Sequence, residues 1–200
     1  RLQAGPLAEA AERLLAHNTM SDARVRLTVT GGNLNMLQGR SDGHVDPTVL
    51  IVAQPPTEYP PVFFSQGVDV AVAAGRENPW TPMAGHKTLN YWPRIHALQM
   101  AGLIGASEAI WLDPAAHLTC GCVSNIFLVR DGVILTPLAR GEEDAGQETP
   151  PVRPGVSRST VLDGAQALGL ETRRTALGME DLLGADEVFL TNSSWHVLPV

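Results

Sequence analysis

Lys87 is the only lysine in a chain that carries thirteen arginines, and the two cations do different chemistry. A guanidinium stays protonated, whereas an amine relieved of its proton by desolvation can attack a carbonyl and form a Schiff base. Codon economy in an Ala-, Gly- and Arg-rich sequence accounts for the scarcity of lysine, but arginine cannot replace a lysine that works as a nucleophile. Gly85-His86-Lys87-Thr88-Leu89-Asn90-Tyr91 is therefore a candidate site for amine chemistry.

Two further stretches have the composition of anion sites. Gly155-Val156-Ser157 opens a helical pattern and offers unpaired backbone N–H groups with a hydroxyl, and Thr191-Asn192-Ser193-Ser194 places small donors after a strand pattern. Each reads equally as an ordinary N-cap or polar turn. His117-Leu118-Thr119-Cys120-Gly121-Cys122 contains metal-ligating types, yet a structural zinc needs four ligands and no second Cys/His pair stands at suitable spacing. A buried pair of small thiols is the expectation there, with a Cys nucleophile beside His117 as the alternative. His86 and His96 are expected to pack or to face solvent.

These residues need elements to hold them. A helical apolar stripe runs from Pro6 to His17, Arg24 to Thr30 alternates as a strand with Val25, Leu27 and Val29 on one face, and Thr48 to Val52 is a second strand. Gln54 to Pro61 holds four prolines, which neither a helix interior nor a central strand accepts, so a boundary falls there. The expected domains are 1–58, a small α+β unit, and 59–200, a larger one. Beyond the boundary, Val68 to Val72 is a strand and Gly75 to Gly85 an irregular approach to Lys87. Pro93 opens a helix that ends near Gly105 and braces the lysine. Glu108 to Leu112 is a strand, and Asn125 to Val129 with Val133 to Thr136 form a hairpin closed by Asp131-Gly132. After a polar loop over 139–154 come a helix from Gly155, a strand at Glu171 to Ala176, a short helix at Met179 to Leu183 and a strand at Asp186 to Leu190.

With 200 residues, 44% apolar and 18% charged, the chain can form a real core. A net charge of −7 with no basic run argues against nucleic-acid binding. No apolar run reaches the ~18 residues that span a bilayer and no signal-peptide core precedes the first helix, so the expected compartment is the cytoplasm with no membrane partner. The start at Arg1 without Met and the stop at Leu198-Pro199-Val200 suggest a fragment at both ends.

Taken together and in this order, Gly85 to Tyr91, the run Gly105 to Asp113, Ser124 to Val133, Gly155 to Arg158 and Gly184 to Thr191 resemble the class IV pyridoxal-phosphate enzymes: branched-chain and D-amino-acid aminotransferases and aminodeoxychorismate lyase. The resemblance covers roughly residues 60 to 200 and implies an α+β, two-domain fold of type IV, with a truncated small domain and a larger β-barrel-like domain carrying helices. It implies pyridoxal 5'-phosphate held as an aldimine on Lys87. The phosphate would be gripped by the N–H groups of Val156 and Ser157 and the hydroxyls of Ser157 and Ser193. It assigns Arg1 of Arg1-Leu2 to that grip, Tyr91 to the cofactor's phenolic oxygen, and a homodimer acting on an amino acid or a 2-oxo acid.

One departure stands out. The family carries a glutamate facing the pyridine nitrogen, and Cys120 occupies its position. A carboxylate keeps that nitrogen protonated and the ring an electron sink, which a thiol does not do. The implied activity is transamination. The alternatives are release of pyruvate from aminodeoxychorismate, suggested by Arg76-Glu77-Asn78-Pro79 and Thr191-Asn192-Ser193, and a weakly active or non-catalytic member that keeps the fold.

Overall fold

A computed structural model describes residues 2–32 and 46–200, which fall in two compact units, Arg1–Glu58 and Tyr59–Val200. Arg1 lies outside the described residues, and so does the part assigned to it above. Among the described residues no helix is long and apolar enough to cross a membrane.

In the first unit helix α1 (Ala4–His17) ends where the Asn18 side chain donates to the Leu14 carbonyl at 2.8 Å. Strand β1 (Arg24–Val29) runs antiparallel to β2 (Val49–Gln54), with Leu27 opposite Ile51. The alternation in β1 does not bury its apolar face. Val25, Leu27 and Val29 are 40%, 46% and 43% exposed, because a two-stranded ribbon and a helix with no buried residue cover little surface.

The second unit opens with a helix that the proline count did not reveal, α2 (Pro61–Gln66). Pro61 sits in its first turn, where a missing N–H costs nothing, and Gly67 at φ 79° ends it. Strand β3 (Val70–Arg76) then pairs in parallel with β4 (Glu108–Leu112), and α3 (Trp92–Leu103) makes the crossover between them. The segment before Lys87 is irregular only after Arg76, so the strand reaches further toward the lysine than its hydrophobic run suggests. A strand not anticipated from sequence, β5 (Leu118–Gly121), pairs antiparallel with β4 and completes a three-stranded sheet. It carries Cys120 opposite Trp111.

A second sheet follows in the order β10-β9-β6-β7-β8. Its strands are β6 (Asn125–Arg130), β7 (Val133–Thr136), β8 (Thr172–Arg174), β9 (Glu187–Asn192) and β10 (His196–Pro199). The β6–β7 hairpin turns at Asp131 and Gly132, both at positive φ (50° and 76°), as the Asp-Gly pair requires. Helix α4 (Val156–Ala167) leads from the polar loop to β8, and α5 (Met179–Leu183) leads on to β9. Strand β9 continues through Thr191 and Asn192, beyond the Leu190 end that the sequence pattern predicts; pairing with β6 and β10 holds both residues in the sheet. The core lies against these strands, where Ile110, Leu118, Ile126, Leu128 and Leu190 are buried together.

Candidate active site

The backbone delivering Lys87 is clamped. The Gly85 N–H donates to the Pro151 carbonyl at 3.0 Å, and Arg140 donates to the Ala84 carbonyl at 3.1 Å. Gly85 sits at φ 70°, and a Cβ there would stand 2.8 Å from that of Arg140, so this position requires glycine twice over. Two residues later Lys87 Nζ lies 3.3 Å from Tyr91 Oη and 5.3 Å from the ring centroid. Tyr91 is the N-cap residue of α3, so the helix start fixes the hydroxyl that meets the amine. Lys87 is exposed. The desolvation expected of a reactive lysine is not supplied by its surroundings in the chain; orientation by Tyr91 is.

Tyr91 lines a cleft of about 320 Å³ whose walls include Arg94, Trp111, Cys120, Val123, Asn125 and Arg153. The sequence signal for Arg94 is slight: it is the only charged side chain in α3 apart from a histidine and has no acid in that helix to pair with. Its Nη2 meets Glu77 Oε2 at 2.7 Å, and its Nη1 meets the Gly121 carbonyl at 2.9 Å and Cys120 Sγ at 3.3 Å. The guanidinium also lies 5.5 Å from the Trp111 ring centroid. Burial works against its charge, but Cys120 and Glu77 outweigh burial and hold its pKa above the ordinary value.

The thiols are buried, as the sequence suggested, and they differ in company. Cys120 lines the cleft beside Arg94, whereas Cys122 accepts a bond from Trp111 Nε1 at 3.3 Å. Burial pushes the Cys122 thiol up to about 11. His117 pairs with Asp113 at 3.3 Å instead of with either cysteine. Among the described residues no group of three or more His, Cys, Asp or Glu could hold a metal ion.

The turn after Cys120 is shaped by Glu108, a fully buried carboxylate that the sequence pattern marks only as the first residue of a strand. Its Oε1 accepts from the Ala109 and Cys122 N–H groups at 2.9 Å each, and its Oε2 from the Val123 N–H at 3.2 Å and Ser124 Oγ at 3.0 Å. Gly121 is required beside it, since a Cβ there would stand 2.8 Å from Glu108 Oε2. Its glutamate in a buried strand pattern was the available signal.

The two anion candidates are linked to the cleft through Asn125, which lines it. The first intrahelical bond of α4 is Ser159 N–H to the Gly155 carbonyl, so the N–H groups of Val156 and Ser157 have no acceptor within the helix. Asn125 packs onto Gly155, where a Cβ would collide with its side-chain oxygen, and donates to the Arg153 carbonyl at 2.9 Å. Asn125 is also paired in register with Thr191, whose buried hydroxyl has no hydrogen-bond partner among the described residues. Next to it Asn192 accepts from the Ser194 and Trp195 N–H groups at 2.8 and 3.0 Å, shaping the turn that holds the exposed Ser193. Val156, Ser157 and Ser193 themselves stand outside the cleft lining. Behind Ser157, Arg158 is buried and makes two 2.7 Å bonds to Glu142, fixing α4 to the polar loop.

Fold and site together define a class: the chain matches the amino-transferase class IV family over residues 3–200 and belongs to it. It is 30% identical over 197 residues to the branched-chain-amino-acid aminotransferase of Salmonella typhimurium, covering 97% of this chain and 60% of that protein. The solved structure of the Escherichia coli branched-chain amino acid aminotransferase superposes with a TM-score of 0.85 at 28% identity, over 100% of this chain and 63% of that one. That of 4-amino-4-deoxychorismate lyase from Pseudomonas aeruginosa gives 0.80 at 28% identity, over 96% and 68%. The chain thus spans about three fifths of the length of the curated relative. These relatives are enzymes, and the fold is the one they share.

Proposed function

We propose that this chain binds pyridoxal 5'-phosphate and transfers an amino group between an amino acid and a 2-oxo acid. The observation that carries the reading is the single side-chain amine in the chain, oriented by Tyr91 Oη at 3.3 Å beside the cleft. The residues fit the cofactor at its aldehyde and phosphate ends: one amine, two helix-start N–H groups without internal acceptors, and the unpartnered Thr191 hydroxyl on the strand next to Ser193. Bound there, the cofactor would supply an aldehyde that condenses with amines and a ring that withdraws electrons from the substrate α-carbon.

The chain's own residues divide the remaining work. Lys87 Nζ engages the aldehyde end and, when free, takes and returns a proton. Tyr91 Oη exchanges a hydrogen bond with that amine and keeps it directed. The N–H groups of Val156 and Ser157 with the hydroxyls of Ser157 and Ser193 hold the phosphate. Cys120 lies at the ring end and brings no carboxylate. On this reading the protein works as a homodimer in the cytoplasm, 1–58 being the small domain and 59–200 the cofactor-binding one.

Release of pyruvate from aminodeoxychorismate is the second reading, favoured by the fold shared with the lyase structure. A single-turnover screen with the cofactor-loaded protein separates the two. Amino transfer from L- or D-amino acids leaves the cofactor in its amine form, whereas the lyase reaction liberates pyruvate and leaves the cofactor unchanged. Absence of both with a loaded protein points to the non-catalytic member.

A further inference from the structure

Tyr91 and Arg94 stand three residues apart at the start of α3, on one face of that helix. Tyr91 marks the Lys87 end of the cleft and Arg94 the Cys120 end, and both line it. The position the family reserves for a carboxylate is thus filled by a thiol with a guanidinium against it. We propose that Arg94 faces the ring nitrogen of the bound cofactor and, as a hydrogen-bond donor, holds that nitrogen unprotonated. The inference rests on the cofactor reading above and adds the state of the ring to it.

Two observations and the chemistry of a guanidinium support it. Cys120, Gly121 and Glu77 engage Arg94 through Nη1 and Nη2 only, so Nε–H and the second Nη2–H have no protein partner among the described residues. A guanidinium donates and cannot accept, so it can bond only to a nitrogen that keeps its lone pair. Of the carboxylates nearby, Glu108 is committed, accepting four bonds from the turn that carries Cys122 to Ser124, and Glu77 is ion-paired to Arg94 through Oε2 at 2.7 Å. Protonating the ring would set a second positive charge against Arg94. Glu77 Oε1 is the competing acceptor, and if it reached the ring the nitrogen would carry a proton.

The two arrangements differ in one observable. The full chain is loaded with pyridoxal phosphate labelled with ¹⁵N in the ring, fixed with borohydride, and compared by ¹⁵N NMR with the free cofactor in acid and in alkali. The expected resonance is that of the unprotonated ring, unchanged from mildly alkaline to mildly acidic pH. Arg94→Met is expected to make the nitrogen titrate in that range, and Glu77→Gln to leave it unprotonated. A protonated ring in the wild-type protein at neutral pH overturns the proposal. So does a resonance that Glu77→Gln, but not Arg94→Met, displaces. Loss of all label after fixation overturns the cofactor reading itself, and this proposal with it, whereas a label retained on Lys87 with a protonated ring overturns this proposal alone.

Discussion

Substituting Glu108 by Gln leaves size and shape unchanged and tests whether this buried carboxylate builds the cleft wall. Both oxygens accept two bonds each, from Ala109, Cys122, Val123 and Ser124. A carboxamide must turn its NH₂ toward one of these pairs. The lesser loss puts it beside Ser124, whose hydroxyl can rotate to accept, and leaves the Val123 N–H facing another donor. The cost is then one bond to a charged acceptor, about 1.5–3 kcal/mol, and one orphaned half-buried N–H, at the lower part of the about 1–3 kcal/mol that a fully buried one costs. A total of about 3–5 kcal/mol lowers the Tm of a domain this size by roughly 6–20 °C. Urea denaturation followed by tryptophan fluorescence measures it, with an unchanged slope showing that the unfolded state is the same. Because the perturbed turn carries Cys122 to Ser124, cofactor affinity should fall alongside. A loss below about 1 kcal/mol would mean that the turn does not depend on the charged acceptor, and the account of the wall would be wrong.

Other expectations follow from charge and burial. Cys122, raised from 9.0 to about 11, should resist iodoacetamide at neutral pH in the folded protein; its raised pKa adds stability that is intact below pH 9.0 and declines toward pH 11, so Cys122→Ala should flatten the alkaline limb of a stability–pH curve. Glu142 is penalised by burial, yet the bonds from Arg158 hold its carboxyl below the ordinary 4.5; its contribution is intact above that value and lost as pH falls through the lowered one, and Glu142→Gln should shrink the acid-side drop in Tm. Cys120→Glu places a carboxylate beside Arg94 in the cleft and, if the proposed cofactor ring lies there, should raise the half-reaction rate about tenfold or more, or about 1.4 kcal/mol of barrier, by stopped-flow absorbance. An unchanged rate and cofactor spectrum would remove the electron-sink argument.

The parts of the candidate site legible in the sequence rest on residues whose chemistry is rare or whose backbone demands are local. A lone lysine, the Asp131-Gly132 turn and the proline opening α3 each declare themselves within a few positions. Arg94 and Glu108 did not, since their roles depend on partners 17 to 27 and 1 to 16 residues away. Strand β5 was hidden because its four residues are too short for a period, and it exists through pairing with β4. The exposure of the β1 apolar face and of Lys87 was equally out of reach, because alternation and residue type say which groups face together and not what covers them.

The central claim is that Lys87 is the amine of a cofactor site, and one measurement addresses it without assuming any substrate. The full protein is incubated with one equivalent of pyridoxal phosphate, reduced with borohydride and mapped by peptide mass. A phosphopyridoxyl group on the peptide carrying Lys87, near one per chain and lost in Ser157→Ala/Ser193→Ala at the same concentration, is the expected result. An exposed amine reacting by chance would be labelled equally with and without those hydroxyls, and that outcome, or label confined to the N-terminal amine, would contradict the claim.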